Sequence, residues 1–311
     1  MRPMNIVKTA LLLIITLLVV PLFTYFFGVP LDALSRKALE LLLQVMAVAI
    51  AYSFLVGELS GNNSQGDKLW SLLPIAYAWI TAYYGDFSPR LVLMASLVSL
   101  WGLRLTYNFS RHGAFSLRFW EGKEDYRWEV LRARAEFQPR WKWTLFNLFF
   151  ISGYQHVLIL LFTLPVLIAL QYSEVPMGPA DWIIGACMLF FIVYETIADQ
   201  QQWEFQRQKH RRLQNREPLS GAYKKGFLDQ GLWAFSRHPN YFAEQAIWVC
   251  FYLFSVAASG QWLNWSIAGS LLLILLFQGS SSFSEEISAG KYPEYADYQK
   301  RVPRFIGFPK K

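Results

Sequence analysis

The stretch Gln245–Ser284, QAIWVCFYLFSVAASGQWLNWSIAGSLLLILLFQGSSSFS, runs for 40 residues without one Asp, Glu, Lys or Arg. A helix that crosses the hydrocarbon core of a bilayer needs about 20 mainly apolar residues, so this stretch is too long for one span. Ser259, Gly260 and Gln261 interrupt it, which predicts two successive membrane helices. Working outward, Thr9–Leu31, Leu41–Gly57, Leu69–Gly85, Leu91–Leu103, Trp143–Ser173 and Trp182–Tyr194 are equally free of those four residue types. Because lipid offers backbone groups no hydrogen-bond partners, such segments span as helices. The predicted fold is an all-α integral membrane protein, a polytopic bundle of about eight transmembrane helices with cytoplasmic loops. The spans fall near Thr9–Phe27, Ala38–Gly57, Leu69–Tyr84, Arg90–Asn108, Thr144–Leu170, Ala180–Ala198, Tyr241–Ala258 and Ser266–Gly279.

Composition agrees with this class. The 311 residues are 54% hydrophobic and 16% charged, against roughly 25% charged in soluble domains. That excludes a disordered chain and argues against a soluble one. Eight spans put both termini on one side, and the distribution of basic residues identifies it. Of 29 Lys and Arg, 25 fall on the side of the termini and of loops 109–143 and 199–240. Only Arg36, Lys37 and Arg90 fall opposite, and Arg104 lies within a span. Basic residues concentrate on the cytoplasmic side of membrane proteins, so that side carries the long loops. The net charge of +7 is thereby explained by orientation and by anionic lipid headgroups. Nucleic acid is not an expected partner, since no zinc-finger spacing or RNA-binding signature is present. Cys187 and Cys250 lie in apolar runs and read as small buried residues. The basic start lacks a small-residue cleavage motif before Pro21, which predicts a retained anchor. Asn62-Asn63-Ser64 fits a glycosylation pattern but falls on the cytoplasmic side in this topology.

Ionisable groups at membrane depth are costly unless paired or solvated, so each is a functional candidate. On the fourth span Arg104, Tyr107, Asn108 and Arg111 fall at i, i+3, i+4 and i+7, one polar stripe that fits either snorkelling to headgroups or a fixed ligand. The sixth span ends in Glu195, Asp199 and Gln202 on one face. Two acids one turn apart repel unless ribose hydroxyls, an amide or an Arg donates to them. The basic run Arg207, Lys209, Arg211 and Arg212 follows. Gly231–Glu244, GLWAFSRHPNYFAE, then runs straight into the seventh span. Proline suits a first helical turn, so the free N–H groups and positive dipole end of that helix, beside Arg237 and His238, predict an anion site without a glycine loop. Asn240 and Glu244 lie one above the other on the same helix. No metal-ligand spacing occurs.

Ser236–Glu244, with Ala198-Asp199-Gln200-Gln201 before it and Tyr292-Pro293-x-Tyr295-x-x-Tyr298 after it, resembles the C-terminal domain of the steroid 5α-reductase superfamily. Trp101-Gly102-Leu103-Arg104-Leu105, Asp125-Tyr126-Arg127 and Asp67-Lys68-Leu69-Trp70-Ser71 resemble its bacterial-type branch of largely uncharacterised membrane proteins. The match covers about Asp67–Phe308, which divides the chain into two extra N-terminal transmembrane helices, residues 1–60, and a steroid-reductase-like membrane domain, residues 61–311. The resemblance implies a helical bundle that binds NADPH from the cytoplasm and reduces a carbon-carbon double bond conjugated to a carbonyl in a lipid. It implies cofactor contacts from Glu195, Asp199, Arg237, His238, Asn240, Tyr241 and Glu244, completed by Arg104, Asn108 and Arg111. The absence of a Gly-x-Gly-x-x-Gly turn agrees with a non-Rossmann site. The reductases polarise the substrate carbonyl with a Glu and Tyr pair, and no Tyr near Trp101 holds the matching register. Asp67, Tyr77, Tyr83, Tyr84 and Tyr107 stand as alternatives for the acid.

A second resemblance competes. Isoprenylcysteine and phospholipid methyltransferases share an Arg-His-Pro-x-Tyr element and carry paired acids before a Tyr-rich tail, as Glu285-Glu286 and Tyr295-x-x-Tyr298 do here. That implies methyl transfer from S-adenosylmethionine to a lipid or prenylated substrate. A non-catalytic lipid-binding protein is the third reading. A lipid-like small molecule and membrane lipids are the expected partners. Short loops and the lack of a retrieval signal predict a bacterial inner membrane rather than an endoplasmic reticulum.

Overall fold

A computed structural model describes Phe26 and residues 30–307; the expected span Thr9–Phe27 lies almost wholly outside the described residues. Every regular element among the described residues is helical. The first helix, α1 (Ala33–Ser60), starts where the Asp32 carboxylate accepts the Ser35 N–H at 2.7 Å. It stops at Gly61, whose φ of 71° is the left-handed conformation that glycine adopts without a side-chain clash. At 1.5 Å per residue its 28 residues span about 42 Å, enough for the hydrocarbon core.

The region expected as one span, Leu69–Tyr84, forms two elements, α2 (Gln65–Trp70) and the 12-residue α3 (Leu73–Tyr84). Pro74 in the first turn of α3 supplies no N–H and its ring blocks a continuous helix arriving from upstream. Hydropathy alone runs across this break. The helix α4 (Pro89–Arg111) lies antiparallel to α3, and three contacts fix their register. Ser71 Oγ and Thr106 Oγ1 are 2.7 Å apart, Trp79 Nε1 donates to Ser99 Oγ at 2.9 Å, and Gly102 lets α4 approach so closely that a Cβ there would lie 2.4 Å from the Ser71 carbonyl oxygen.

After α5 (Tyr126–Arg132) comes the longest buried element, α6 (Arg140–Gln171), with 83% of its apolar window enclosed. It contains a π-helical turn at Asn147–Tyr154 and carries the buried polar residues Asn147, Ser152, Gln155 and His156. Two of them are matched across the bundle: Asn147 Nδ2 donates to Glu58 Oε1 at 2.9 Å, and His156 Nε2 lies 3.2 Å from Ser53 Oγ. Next are α7 (Pro179–Gln214), α8 (Gly221–Lys225), α9 (Pro239–Ser259), α10 (Ile267–Lys291) and α11 (Tyr295–Arg301). The break expected at Ser259–Gln261 is present, with Gly260 at φ 70°. Of α7, whose 36 residues extend about 54 Å, roughly 24 Å exceeds the hydrocarbon thickness.

Among the described residues six helices, α1, α4, α6, α7, α9 and α10, are long and apolar enough to cross a membrane. They coincide with six of the eight expected spans. Tertiary contacts divide the chain into two compact units, residues 1–185 with 250–272 and residues 186–249 with 273–311. In the first unit the starts of α4 and α7 are joined by Arg90 and Asp181, whose side chains are 3% and 2% exposed. Arg90 Nε donates to Asp181 Oδ1 at 2.7 Å and its terminal nitrogens reach the Val175 and Pro176 carbonyls. Removing one partner of a buried pair strands the other charge, at about 3–5 kcal/mol. Arg90→Ala is therefore expected to lower the thermal midpoint in detergent sharply, and Arg90→Ala/Asp181→Ala to recover part of the loss.

Candidate functional site

The second unit builds its site around the start of α9. The preceding turn, Gly231–Ala234, rests on α7: Leu232 N donates to Gln201 Oε1 at 3.0 Å and Trp233 Nε1 to the Ala198 carbonyl at 3.1 Å. Gly231 has φ 61°, which favours glycine, and a Cβ there would lie 2.6 Å from Gln201 Oε1 and displace the amide that accepts the Leu232 N–H. The chain then enters Ser236-Arg237-His238-Pro239, where the residues just past α11 form a strap. Arg237 N donates to the Pro303 carbonyl at 2.9 Å, and His238 N and Ser236 Oγ both donate to the Arg304 carbonyl at 3.1 Å.

Glu285 of α10 is the hub of this arrangement. Arg237 grips its carboxylate through Nε at 2.7 Å and Nη2 at 3.2 Å. Gln299 Nε2 donates to it at 2.8 Å, and His238 Nε2 lies 3.0 Å from Oε1. The remaining Arg237 nitrogen, Nη1, donates to the carbonyls of Gln299 and Val302. The Arg237 and Glu285 side chains are 9% and 4% exposed. The sequence predicts free N–H groups at this helix start, with Arg237 and His238 facing an external anion; instead Arg237 and His238 contact the chain's own Glu285 carboxylate, and their backbone N–H groups donate to the Pro303 and Arg304 carbonyls. Under the strap, Phe227, Tyr295 and Tyr298 pack together, and burial pushes both tyrosine hydroxyls above their ordinary range. Tyr298 donates its hydroxyl to the Trp233 carbonyl.

One turn further along α9 the chemistry changes sign. Asn240 Nδ2 donates to Asp199 Oδ1 at 3.1 Å, tying α9 to α7. An amide is one of the donors that the acid pair on α7 demands. Asn240 Oδ1 accepts the Tyr241 N–H at 3.0 Å, so both ends of the amide are engaged. The Tyr241 ring stacks on His238 at 5.2 Å. Glu195, Asp199 and Glu244 are buried, and Trp248 Nε1 donates to Glu244 Oε1 at 3.1 Å. Gln202, on the same face of α7 as Glu195 and Asp199, holds its buried Oε1 without a hydrogen-bond partner. The second unit therefore brings Glu195, Asp199, Arg237, His238, Asn240, Tyr241 and Glu244 into one region, in two electrostatic halves.

The other sequence-selected residues belong to the first unit, where they separate by height. Near the end of α4, Arg111 Nε donates to Asn108 Oδ1 at 2.9 Å and the guanidinium lies 5.7 Å from the Tyr107 ring centre, so three residues of the expected stripe form a cluster, with Arg104 one turn before Asn108 on the same helix. Asp67 lies toward the same end, with Trp128 Nε1 donating to its Oδ2 at 2.7 Å. Tyr77 is fully buried at the middle of α3 with its hydroxyl unpartnered. Tyr83 and Tyr84 are at the opposite end, beside the start of α4. Fourteen residues of helix separate Arg90 from Arg104, which puts about 21 Å between these tyrosines and the stripe.

Asp67 is framed by a polar strap, residues 62–68, that holds loop 113–132. Asn62 Nδ2 donates to the Gly122 carbonyl at 2.9 Å, Asn63 N to Glu124 Oε1 at 2.7 Å, and Gln65 Nε2 to the Trp120 carbonyl at 3.1 Å. Lys68, fully buried, donates to the carbonyls of Phe119 and Glu121 at 2.7 and 2.6 Å, and burial lowers its pKa. Burial and the adjacent Asp125 carboxylate push Asp67 up to about 6. Burial also works to raise Asp125, but the Arg127 guanidinium outweighs it and holds that carboxyl below its usual range.

Glu285, Gln299, the strap after α11 and Lys68 are absent from the sequence-derived site. A signal existed for Glu285: an acid that closes a charge-free stretch and packs inside a membrane bundle needs a cation, and Arg237 opens the helix before it.

This is a multi-pass, all-α membrane protein with a buried polar site at the mouth of one of its helices. The chain belongs to the family described as a protein of unknown function, DUF1295, whose model matches residues 53–302. A similar protein of Schizosaccharomyces pombe, named "Uncharacterized protein C594.04c", is 39% identical over 277 residues, covering 83% of this chain and 78% of its own. No solved structure matches the chain.

Two outcomes are expected from this geometry. Arg237→Ala strands Glu285 in a buried setting and is expected to destabilise the fold by about 3–5 kcal/mol; Arg237→Lys, a point charge without the fork, should restore only part of the thermal midpoint. For Asp67, a folded pKa above the unfolded one gives stability that is full in acid and lost as pH rises through about 6. Asp67→Asn should flatten that pH dependence and raise the thermal midpoint at pH 7.5 by several degrees.

Proposed function

We propose that the protein is an NADPH-dependent membrane reductase that saturates a carbon-carbon double bond conjugated to the carbonyl of a lipid or steroid-like substrate, in line with its resemblance to the steroid 5α-reductase superfamily. The observation that carries this reading is the acid–amide cluster of Glu195, Asp199, Asn240 and Glu244, with the unpartnered Gln202 Oε1 at its edge. These groups are mainly acceptors. They suit the ribose hydroxyls and carboxamide N–H groups of a nicotinamide nucleoside, and a donor from that ligand would satisfy Gln202.

When bound, NADPH supplies a hydride for the β-carbon of the substrate. Asp199 and Asn240 hold the ribose and orient the ring, with Asn240 fixed by its two existing hydrogen bonds. Glu244, steadied by the Trp248 indole, receives the carboxamide. Arg237 and His238 act through Glu285: they fix the start of α9 and therefore the position of Asn240. Negative charge develops on the substrate carbonyl oxygen during the transfer, and a donor aimed there lowers the barrier by several kcal/mol. Of the five candidates for that donor, Tyr83 and Tyr84 lie about 21 Å from the stripe on α4, which leaves Asp67, Tyr77 and Tyr107. Water protonates the enolate.

Methyl transfer from S-adenosylmethionine is the second reading, favoured by the contact of Glu285, first of the paired acids, with Arg237 and His238. One assay separates the two: purified protein is incubated with an enone lipid, and both the loss of dihydronicotinamide absorbance and the transfer of labelled methyl groups are followed. Oxidation of NADPH is expected, lowered at least tenfold in kcat/KM by Asn240→Ala. Of single substitutions at Asp67, Tyr77 and Tyr107, the one that removes the donor should lower kcat while sparing the KM for NADPH. Methyl transfer without NADPH oxidation would establish the second reading.

A further inference from the structure

At the end of the first unit remote from Arg104, α1 and α3 enclose an apolar groove of about 410 Å³, lined by Leu41, Ala76, Trp79, Ile80, Tyr83 and Tyr84. Its volume falls within the range of small-molecule sites, roughly 300–1,000 Å³. Ala76 is the smallest side chain among those that line it, so a larger one there would narrow the groove. The walls are aromatic and held: Trp79 donates to Ser99 Oγ, Tyr83 meets Tyr84 edge-on at 6.0 Å, and Phe87 meets Tyr83 edge-on at 6.2 Å. Phe87 owes that position to a turn in which two consecutive non-glycine residues, Asp86 and Phe87, adopt φ of 46° and 54°. Such strain persists only where the surroundings over-determine it, and it clusters at ligand clamps.

The dimensions and the rim indicate what fills the groove. From Ala76 to Tyr84 it extends about 12 Å along α3, less than half of the roughly 30 Å hydrocarbon core. A spanning helix is too long for it, whereas the chain of a lipid in one leaflet is not. On one side it is bordered by Leu41 of α1, a helix only 17% of whose apolar window is buried in the protein. At its outer end Lys37 stands one turn before Leu41 on the same face of α1. Lys37 is exposed, and among the described residues no ion pair engages it. A cation and two tyrosine hydroxyls at interfacial depth, above a hydrocarbon slot, match a phosphate, an ester and an acyl chain.

We propose that this groove is a phospholipid site: one acyl chain lies over Ala76 between Trp79 and the tyrosine pair, and the lipid phosphate sits at Lys37. The site is independent of the redox reading. It gives Tyr83 and Tyr84 a role as lipid clamps, remote from the carbonyl of a substrate bound near Arg104.

The test reconstitutes the full chain in nanodiscs with a trace of phosphatidylglycerol bearing a diazirine in one acyl chain, and maps photo-adducts by mass spectrometry. Saturable labelling of the segment Ala76–Tyr84 is expected, suppressed by excess unlabelled phosphatidylglycerol, while labelling at the lipid-facing Phe190 on α7 rises in proportion to probe. Ala76→Phe should lower labelling of the groove at least fivefold and leave Phe190 unchanged. Lys37→Ala, which leaves the packing intact, should shift the competition curve to several-fold higher lipid concentration. Non-saturable labelling equal to that at Phe190, an Ala76→Phe variant labelled like the parent, or protection of the groove by residues 9–27 of the chain itself would each overturn the proposal. So would displacement of the probe by a sterol but not by phospholipid.

Discussion

The bidentate contact of Arg237 with Glu285 is the constraint on which the second unit depends. A guanidinium and a carboxylate, each under one-tenth exposed, are tolerable at that depth only when every lone pair and N–H finds a partner. Gln299, His238 and two tail carbonyls supply those partners. Satisfying them draws α10, α11 and the strap after it onto the first turn of α9. The backbone N–H groups of Arg237 and His238, which would otherwise be left bare at a helix start, are closed by the carbonyls of Pro303 and Arg304. Electrostatics and backbone accounting therefore reach the same geometry by separate routes.

With that end of α9 immobilised, Asn240 is delivered to Asp199 and Glu244 to Trp248. The resulting division has a chemical consequence. The Arg237 guanidinium is engaged by Glu285, whereas Glu195, Asp199 and Glu244 are buried acids. On the reading proposed above, such carboxylates suit hydroxyl and amide hydrogens, as a nucleoside offers, rather than phosphate. In the first unit, buried Lys68 donates to loop carbonyls, and burial, aided by the Asp125 carboxylate, raises the neighbouring Asp67.

Much of this was legible in the residues. Charge-free length identified α1, α4, α6, α7, α9 and α10, because lipid imposes the same requirement on every span. The Ser259–Gln261 interruption read correctly because Gly260 supplies a left-handed turn. The face formed by Glu195, Asp199 and Gln202 announced its need for a donor, and Asn240 is that donor. Pairing across long separations was hidden. Arg237 and Glu285 are 48 positions apart, and no local pattern says which acid a buried arginine will take. The α2–α3 break was masked because hydropathy is continuous through Pro74. The remoteness of Tyr83 and Tyr84 from Arg104 follows from antiparallel register, which needs the Ser71–Thr106 and Trp79–Ser99 contacts to be seen.

Amide hydrogen exchange of the purified protein, measured with and without NADPH and again with S-adenosylmethionine, tests the central claim most directly. If the acid–amide cluster receives the nicotinamide nucleoside, NADPH slows exchange across residues 195–202 and 236–245 together, and S-adenosylmethionine changes neither segment. Exchange in both segments that is indifferent to saturating NADPH, or slowed by S-adenosylmethionine instead, would contradict the account.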